Sequence, residues 1–407
     1  MGRPSLAPGR YFRLLIVGYF EGLDSERGIA WRAADSLSLR HFLGLELNEA
    51  PPDHSTISRT RRLIDVETHR AVFTWILERL AEAGLVKGRT VGIDATTLEA
   101  NAVMRSLVRR DTGESYEEFL TGLAIASGIA TPTRSDLARL DRKRPKKASN
   151  QDWTHPHDPE ARITKMKDGT THLAHKAEHA VDLETGAVVA VTVQPADEGD
   201  TKTFEETLTN AAENIEKAKP ESDGIQELVA DKGYHSNETL VDLSELEIRT
   251  YVSEPDRGRR KWNGDEAARD AVYANRRRIR GERGRRLLRS RGEQLERPFA
   301  HAYETGRLRR VYLRGRSNIL KRVLVHTAAL NLGLLMRALV GVGTPRSLQG
   351  QLQGLAAALA ALFRYAFAVF RTDWSHVCVR LRATAIPRSA HLLANRQSQK
   401  TAFTTGC

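Results

Sequence analysis

Two aspartates, Asp94 and Asp231, are the residues of this sequence best placed to do chemistry. Each ends a short apolar run, Thr90-Val91-Gly92-Ile93 and Leu228-Val229-Ala230. Each is followed by small or turn-forming residues, Ala95-Thr96-Thr97 and Lys232-Gly233-Tyr234. An aspartate in such a place can simply cap the next turn. Two of them on two strands of one α/β unit offer more, because neighbouring strands bring their carboxylates to one sheet edge. Clustered carboxylates repel, and one keeps its proton unless a cation intervenes. Mg2+, or Mn2+ in its place, suits the task, being hard, oxygen-preferring and content to keep several waters. Two such ions about 4 Å apart activate an attacking oxygen and stabilise a leaving one during phosphoryl transfer. The two carboxylates are then expected within roughly 8 Å of each other. A third carboxylate completes such a set, and residues 291–299 offer Glu293 and Glu296. Three apart, they share a helical face, so geometry alone leaves both open. Arg289, one turn before Glu293, is spaced to draw that carboxylate into a solvent ion pair.

Such carboxylates need a sheet and a covering helix, and the sequence supplies both. Residues 90–94 and 228–231 read as strands. Between them 175–181 and 187–193 are strand-like around the turn Glu184-Thr185-Gly186, a hairpin pattern. Residues 200–217 read as a helix and 249–252 as a fifth strand. Residues 270–295 are polar and helical in character, and 318–340 form an apolar helical pattern. Ahead of the first strand the texture is helical over 24–42, 56–64 and 66–83. Pro51-Pro52 breaks the chain there, and Asp53 or Ser55 can cap the second of these helices. In the third, Val72, Ile76 and Leu80 share a face and Gly84 suits the stop. A polar stretch at about 104–170, carrying Arg142-Lys143-Arg144-Pro145-Lys146-Lys147, reads as a basic insertion. The expected organisation is an α/β protein with an N-terminal helical domain over 1–88 and a catalytic domain over 89–344. A low-complexity tail, helical or disordered, covers 345–407.

The net charge of +12 and pI of about 9.8 point to a polyanionic partner. Residues 257–291 concentrate that charge, with fourteen Arg or Lys against four acids. Phosphate neutralisation supplies most sequence-independent DNA affinity, so Arg276, Arg277 and Arg278 are candidate DNA contacts, against the plainer reading of a solvated face. Trp262 can stack on a base or pack. Residues 55–62 can serve as the second helix of a helix-turn-helix, with Arg59, Arg61 and Arg62 toward DNA. His172, His175 and His179 invite a zinc reading, but strand alternation turns His172 away from the other two. Lys232 and His235 either touch phosphate or shape a turn. Only two cysteines occur, Cys378 and Cys407, which excludes a disulfide framework or a cysteine-rich zinc site and fits a reducing cytosol. The first ten residues lack the apolar run of a signal peptide. The apolar stretch 354–370 is short for a membrane span and contains Arg364.

Several segments, taken in order, resemble the DDE transposases of bacterial insertion sequences. They are Gly18-Tyr19-Phe20-Glu21-Gly22, Asp53-His54-Ser55-Thr56-Ile57-Ser58-Arg59, Gly92-Ile93-Asp94-Ala95-Thr96, Val229-Ala230-Asp231-Lys232-Gly233-Tyr234-His235 and Glu296-Arg297-Pro298-Phe299-Ala300-His301. The resemblance covers about residues 2–346. It implies an RNase H-like mixed sheet flanked by helices, with a helical transposase domain in front. It also implies Asp94, Asp231 and Glu296 as the catalytic, metal-holding set, with two Mg2+ or Mn2+ ions. The activity implied is cleavage and strand transfer on double-stranded DNA, at the terminal inverted repeats and the target. The chain is expected to work as a homo-oligomer on DNA in the bacterial cytoplasm, at the nucleoid. In many relatives a Tyr, an Arg and a Lys flank the glutamate. Here Arg289, Gly292 and Tyr303 stand in those places, which leaves Arg289 and Arg291 to hold DNA. Two other functions share this fold: a catalytically dead DNA-binding descendant, and a metal-dependent nuclease for RNA or repair intermediates.

Overall fold

A computed structural model describes residues 6–351 apart from 145–147, 167–168, 257, 259, 263 and 305. The apolar stretch 354–370, both cysteines and most of the expected tail lie outside the described residues.

Five helices come first: α1 (Pro8–Phe20), α2 (Glu26–Asp35), α3 (Leu37–Phe42), α4 (His54–Leu63) and α5 (Val66–Glu82). The single helix expected over 24–42 is two. Ser36 is extended, and its hydroxyl accepts the Leu39 N–H, so it ends one helix and caps the next. Asp53 and Asp65 cap α4 and α5 in the same way. Strand β1 (Thr90–Ala100) then runs well past Asp94.

The stretch expected as an insertion is not uniformly polar loop. It holds β2 (Val108–Arg109), α6 (Tyr116–Ala126), α7 (Arg134–Lys143) and β3 (Trp153–Thr154), with capping boxes at Ser115/Glu118 and Thr133/Asp136. Trp153 is buried edge-on against Tyr116 and Phe119, in a small core that this part shares with Ala100 of β1 and Leu173 in the sheet. Its last element, β4 (Arg162–Lys165), belongs to the main sheet.

The rest of the chain follows as β5 (Thr171–Asp182), β6 (Val188–Pro195), α8 (Asp200–Ala218), β7 (Glu227–Ala230), α9 (Asn237–Glu245), β8 (Arg249–Val252), α10 (Glu266–Arg280), α11 (Glu282–Glu304), β9 (Arg310–Val311) and α12 (Arg316–Val340). The central strands lie in the order β6-β5-β1-β7-β8. β5 is antiparallel to β6 and β1, whereas β7 is parallel to β1 and β8 to β7. A hairpin-linked meander feeding two parallel crossovers is the RNase H-like arrangement. Along the outer side of β1, β7 pairs at Thr90–Gly92 and β9 at Glu99–Ala100. Between those two partners, among the described residues, that side of β1 has no ladder.

One face of the sheet packs on α8, α9 and α10 through Val91, Ile93, Ala180, Leu228 and Ala230. α11 covers the other face, where Leu287 meets Val229, Tyr251 and Leu183. α12 is long and apolar enough to cross a membrane, but here it is a core helix. Ile319, Val323 and Leu324 pack with Phe73, Ile76 and Leu77 of α5 and with Val191 of β6. Val325 of the same helix enters the core of α1 and α2, and Lys321 donates to the Arg61 carbonyl. The N-terminal helices thus share a core with the sheet, and residues up to Pro345 form one compact unit.

Candidate active site

β1 and β7 run side by side in parallel, and their last paired residues are Gly92 and Val229. Two residues further along each chain stand Asp94 and Asp231. Strand alternation puts both on the α11 face, because Ile93 and Ala230 point into the opposite core while Val229 packs under Leu287. Asp94 Oδ1 accepts the Ala95 N–H at 2.9 Å, and its Oδ2 faces Arg291 Nη1 at 3.3 Å. Asp231 Oδ1 accepts the Gly233 N–H at 2.8 Å and caps the turn Lys232–Tyr234. The capping role and the catalytic candidacy of Asp231 therefore coexist.

That turn is braced from below by residues the sequence reading passed over. A Cβ on Gly233 would lie 2.5 Å from Asp200 Oδ2 and 3.0 Å from Asp231 Oδ1, so the position has no room for a side chain. Asp200, at the start of α8, receives Lys176 Nζ at 3.1 Å, and the same ammonium donates to the Glu198 carbonyl at 2.8 Å. Glu178, fully buried, accepts from the Thr203, Thr207 and Tyr234 hydroxyls. Burial raises its carboxyl above the usual range, against those hydrogen bonds. The Tyr234 hydroxyl is pushed far up, first by burial and then by the negative charge of Glu178, Asp200 and Asp94. The signal for this network was Lys176 and Glu178 at alternate positions in a strand covered on both sides, where charge is costly unless paired.

α11 crosses the other face. Leu295 sits over Gly92, Phe299 lies edge-on to His179 at 4.6 Å, and the Tyr303 hydroxyl donates to the Thr96 hydroxyl. His179 is the residue paired with Asp94 across β5, so the helix is pinned on both sides of that aspartate. Pro298 does not end the helix, which continues to Glu304. Glu293 and Glu296 are both exposed on it. Among the described residues no three His, Cys, Asp or Glu side chains lie close enough to hold a metal ion. Asp94 and Asp231, where the β1–β7 pairing stops, offer two carboxylates, a donor set that fits Mg2+, which is commonly held by one or two carboxylates, water and substrate phosphate.

The basic residues divide into two groups. Arg276 makes a two-pronged pair with Glu254 at 2.6 and 2.8 Å. Arg278 donates to the carbonyl and hydroxyl of Thr250. Arg61 is wedged between α2 and α4, bonded to Glu26 and Ser58. These three were expected at DNA, but their guanidinium groups are engaged inside the protein. Arg59, Arg62, Arg277 and Arg289 are exposed. The helix-turn-helix expectation also changes, because the long loop 43–53 separates α3 from α4 where that motif needs a turn of about 3–4 residues. Trp262 packs against the core beside α10, with Arg260 over its ring. The three histidines do not converge: His172 faces Glu99, His175 is buried on Asp158, and His179 meets Phe299.

Two family models match the chain. Transposase domain (DUF772) matches residues 1–63, and Transposase DDE domain matches residues 150–332, a span that includes Asp231 and Glu296 but not Asp94. No curated protein matches it. Two solved structures are similar, "Mos1 transposase paired-end complex with left transposon end" and "Crystal structure of the Mos1 mariner paired end complex with Mn". Each is 10% identical, has a TM-score of 0.20 and covers 75% of this chain and 82% of that chain. The two matched segments follow one another in the order the fold requires, helices in front and an RNase H-like sheet behind, and the chain belongs to the DDE transposases of insertion sequences.

Proposed function

We propose that this transposase cuts double-stranded DNA at the terminal inverted repeats of an insertion sequence and joins the freed 3′ ends to target DNA. Asp94, Asp231 and Glu296 hold Mg2+ or Mn2+ for both steps. The observation that carries this reading is the placement of two aspartates just beyond the point where two adjacent parallel strands stop pairing, on one face, under the helix that bears Glu296. Two ions bound there would supply charge for the phosphodiester oxygens and acidify the attacking water or hydroxyl.

The chain's own residues do the rest. Asp94 and Asp231 present oxygen donors from a rigid sheet. Glu296 is favoured over Glu293 because it opens the Glu296-Arg297-Pro298-Phe299 segment, where the resemblance to the family places the third ligand. Arg59, Arg62, Arg277, Arg289 and Arg291 hold the DNA backbone, by charge and by their forked donors. A homo-oligomer assembled on DNA, in the bacterial cytoplasm at the nucleoid, completes the proposal.

One observation favours a second reading, a DNA-binding descendant without catalysis: Glu296 is exposed and no three-carboxylate group forms among the described residues. Duplex DNA carrying the inverted repeats that flank the coding region separates the two. The transposase nicks it in Mg2+, and Asp94→Asn and Asp231→Asn abolish nicking while the repeats are still bound. Wild-type protein that binds the repeats and never cuts them is the dead descendant. Cutting without regard to the repeats marks a general nuclease.

A further inference from the structure

Arg291 differs from the other arginines of its segment. Arg283 grips Glu227 with two prongs, through Nε and Nη2, and Arg276 grips Glu254 in the same way. Such forks are finished ion pairs, with geometry matched on both sides. Arg291 reaches Asp94 with one nitrogen, Nη1, at 3.3 Å. Its Nε is buried and has no hydrogen-bond partner. A guanidinium carries five donors in a fixed plane, and a buried donor left unpaired is costly. Arg291 is therefore only partly satisfied by Asp94. Once the side chain swings outward, its unpaired donors suit a second anion with two oxygens side by side, which is what a phosphodiester presents.

The position also matters. Arg291 stands on the sheet-facing side of α11, and its side chain and that of Asp94 are 19% and 27% exposed. While the guanidinium faces Asp94 Oδ2, it takes up one of that carboxylate's acceptor sites and sets a like charge a few ångströms from any divalent ion bound there.

We infer that Arg291 couples DNA binding to metal loading: without DNA it sits on Asp94 and opposes the metal, and with DNA it turns its fork to a backbone phosphate and releases the carboxylate. This rests on the assignment of Asp94 as a metal ligand. The coupling is reciprocal, so metal bound at Asp94 strengthens the grip on DNA by the same factor.

The test is Mn2+ binding to the full chain, followed by the loss of the free-ion electron paramagnetic resonance signal, with and without a duplex oligonucleotide whose own binding is subtracted. Wild-type protein should bind Mn2+ about tenfold more tightly with DNA than without it, within the usual range of coupling. Arg291→Gln should bind Mn2+ without DNA as tightly as wild-type does with it, and DNA should then add little. Equal DNA-free affinities for wild type and Arg291→Gln overturn the inference. If the Gln variant does not fold, as judged by its thermal melt, Arg291→Lys decides. The lysine keeps the opposing charge but lacks the fork, so DNA-free binding stays weak and the gain on adding DNA falls; an undiminished gain overturns the inference. Asp94→Asn in the Arg291→Gln background separates the two claims. If that double variant keeps the tight Mn2+ binding, Asp94 is not a ligand and the site assignment fails, whatever Arg291 does.

Discussion

Glu293 and Glu296 are both exposed on α11. Glu296→Gln keeps the shape of the side chain and removes its charge. It should abolish cleavage of element-end DNA and leave DNA binding, read by gel shift, unchanged; Glu293→Gln should do little to either. The reverse pattern would move the third ligand to Glu293. His179, opposite Asp94, gives a second test at this scale. Burial lowers its imidazole from the ordinary 6.5 to about 3. The unfolded chain takes up a proton near 6.5 while the folded one does not. The stability His179 contributes is thus complete above that pH and is lost as pH falls from 6.5 toward 3. His69 and His326, also lowered by burial, act in the same direction. Urea midpoints measured from pH 7 to pH 4 should fall, and His179→Leu should make the fall shallower. An identical slope would place His179 in contact with solvent. Asp94 and Asp231 were legible in the sequence because an apolar run followed by a carboxylate is a local pattern. Lys176, Glu178 and Asp200 were not, because they meet only when α8 packs on β5.

Helices and strands were legible to different depths. The central strands showed themselves as apolar runs, yet β1 was read at less than half its length because Thr96, Thr97 and Glu99 interrupt the apolarity without interrupting the ladder. The break at Ser36 was missed because one residue in extended conformation leaves the helical periodicity on either side intact. The basic segment shows the same limit. A run of arginines is visible in sequence, but which of them have internal partners depends on the fold. Arg276 and Arg278 tie α10 to β8 and to Glu254. Arg277, Arg280, Arg285 and Arg286 are exposed and have no acidic partner among the described residues. Replacing these four with glutamine should flatten the dependence of DNA affinity on salt, by roughly 0.9 in slope for each lost phosphate contact. Arg278→Gln should instead lower the melting temperature with the slope unchanged. If the four-fold variant keeps the wild-type slope, these arginines form a solvated face and DNA runs elsewhere.

The molecule as a whole was divided too sharply by texture alone. Polar insertion, helical front and α/β body look separate along the chain, but α12 joins the front and the body in one core, and β4 returns the insertion to the sheet. The tail is different in kind, since every candidate ligand precedes it. A chain ended after Thr344 should keep metal-dependent cleavage; losing cleavage while retaining the wild-type melting profile would assign the tail to the site or to an essential oligomer. α12 itself has a consequence for synthesis. α1, α5 and β6 leave the ribosome long before the helix that covers them. At the usual pace of elongation, roughly 5–20 residues per second, α5 waits on the order of tens of seconds for it. Through that interval Phe73, Ile76 and Leu77 lack the partners that bury them in the finished protein, and each nascent chain displays an apolar surface fit for a chaperone. A chain stalled on the ribosome short of Arg316 should therefore be cut readily within α5 by a protease, whereas one stalled after α12 has emerged should resist.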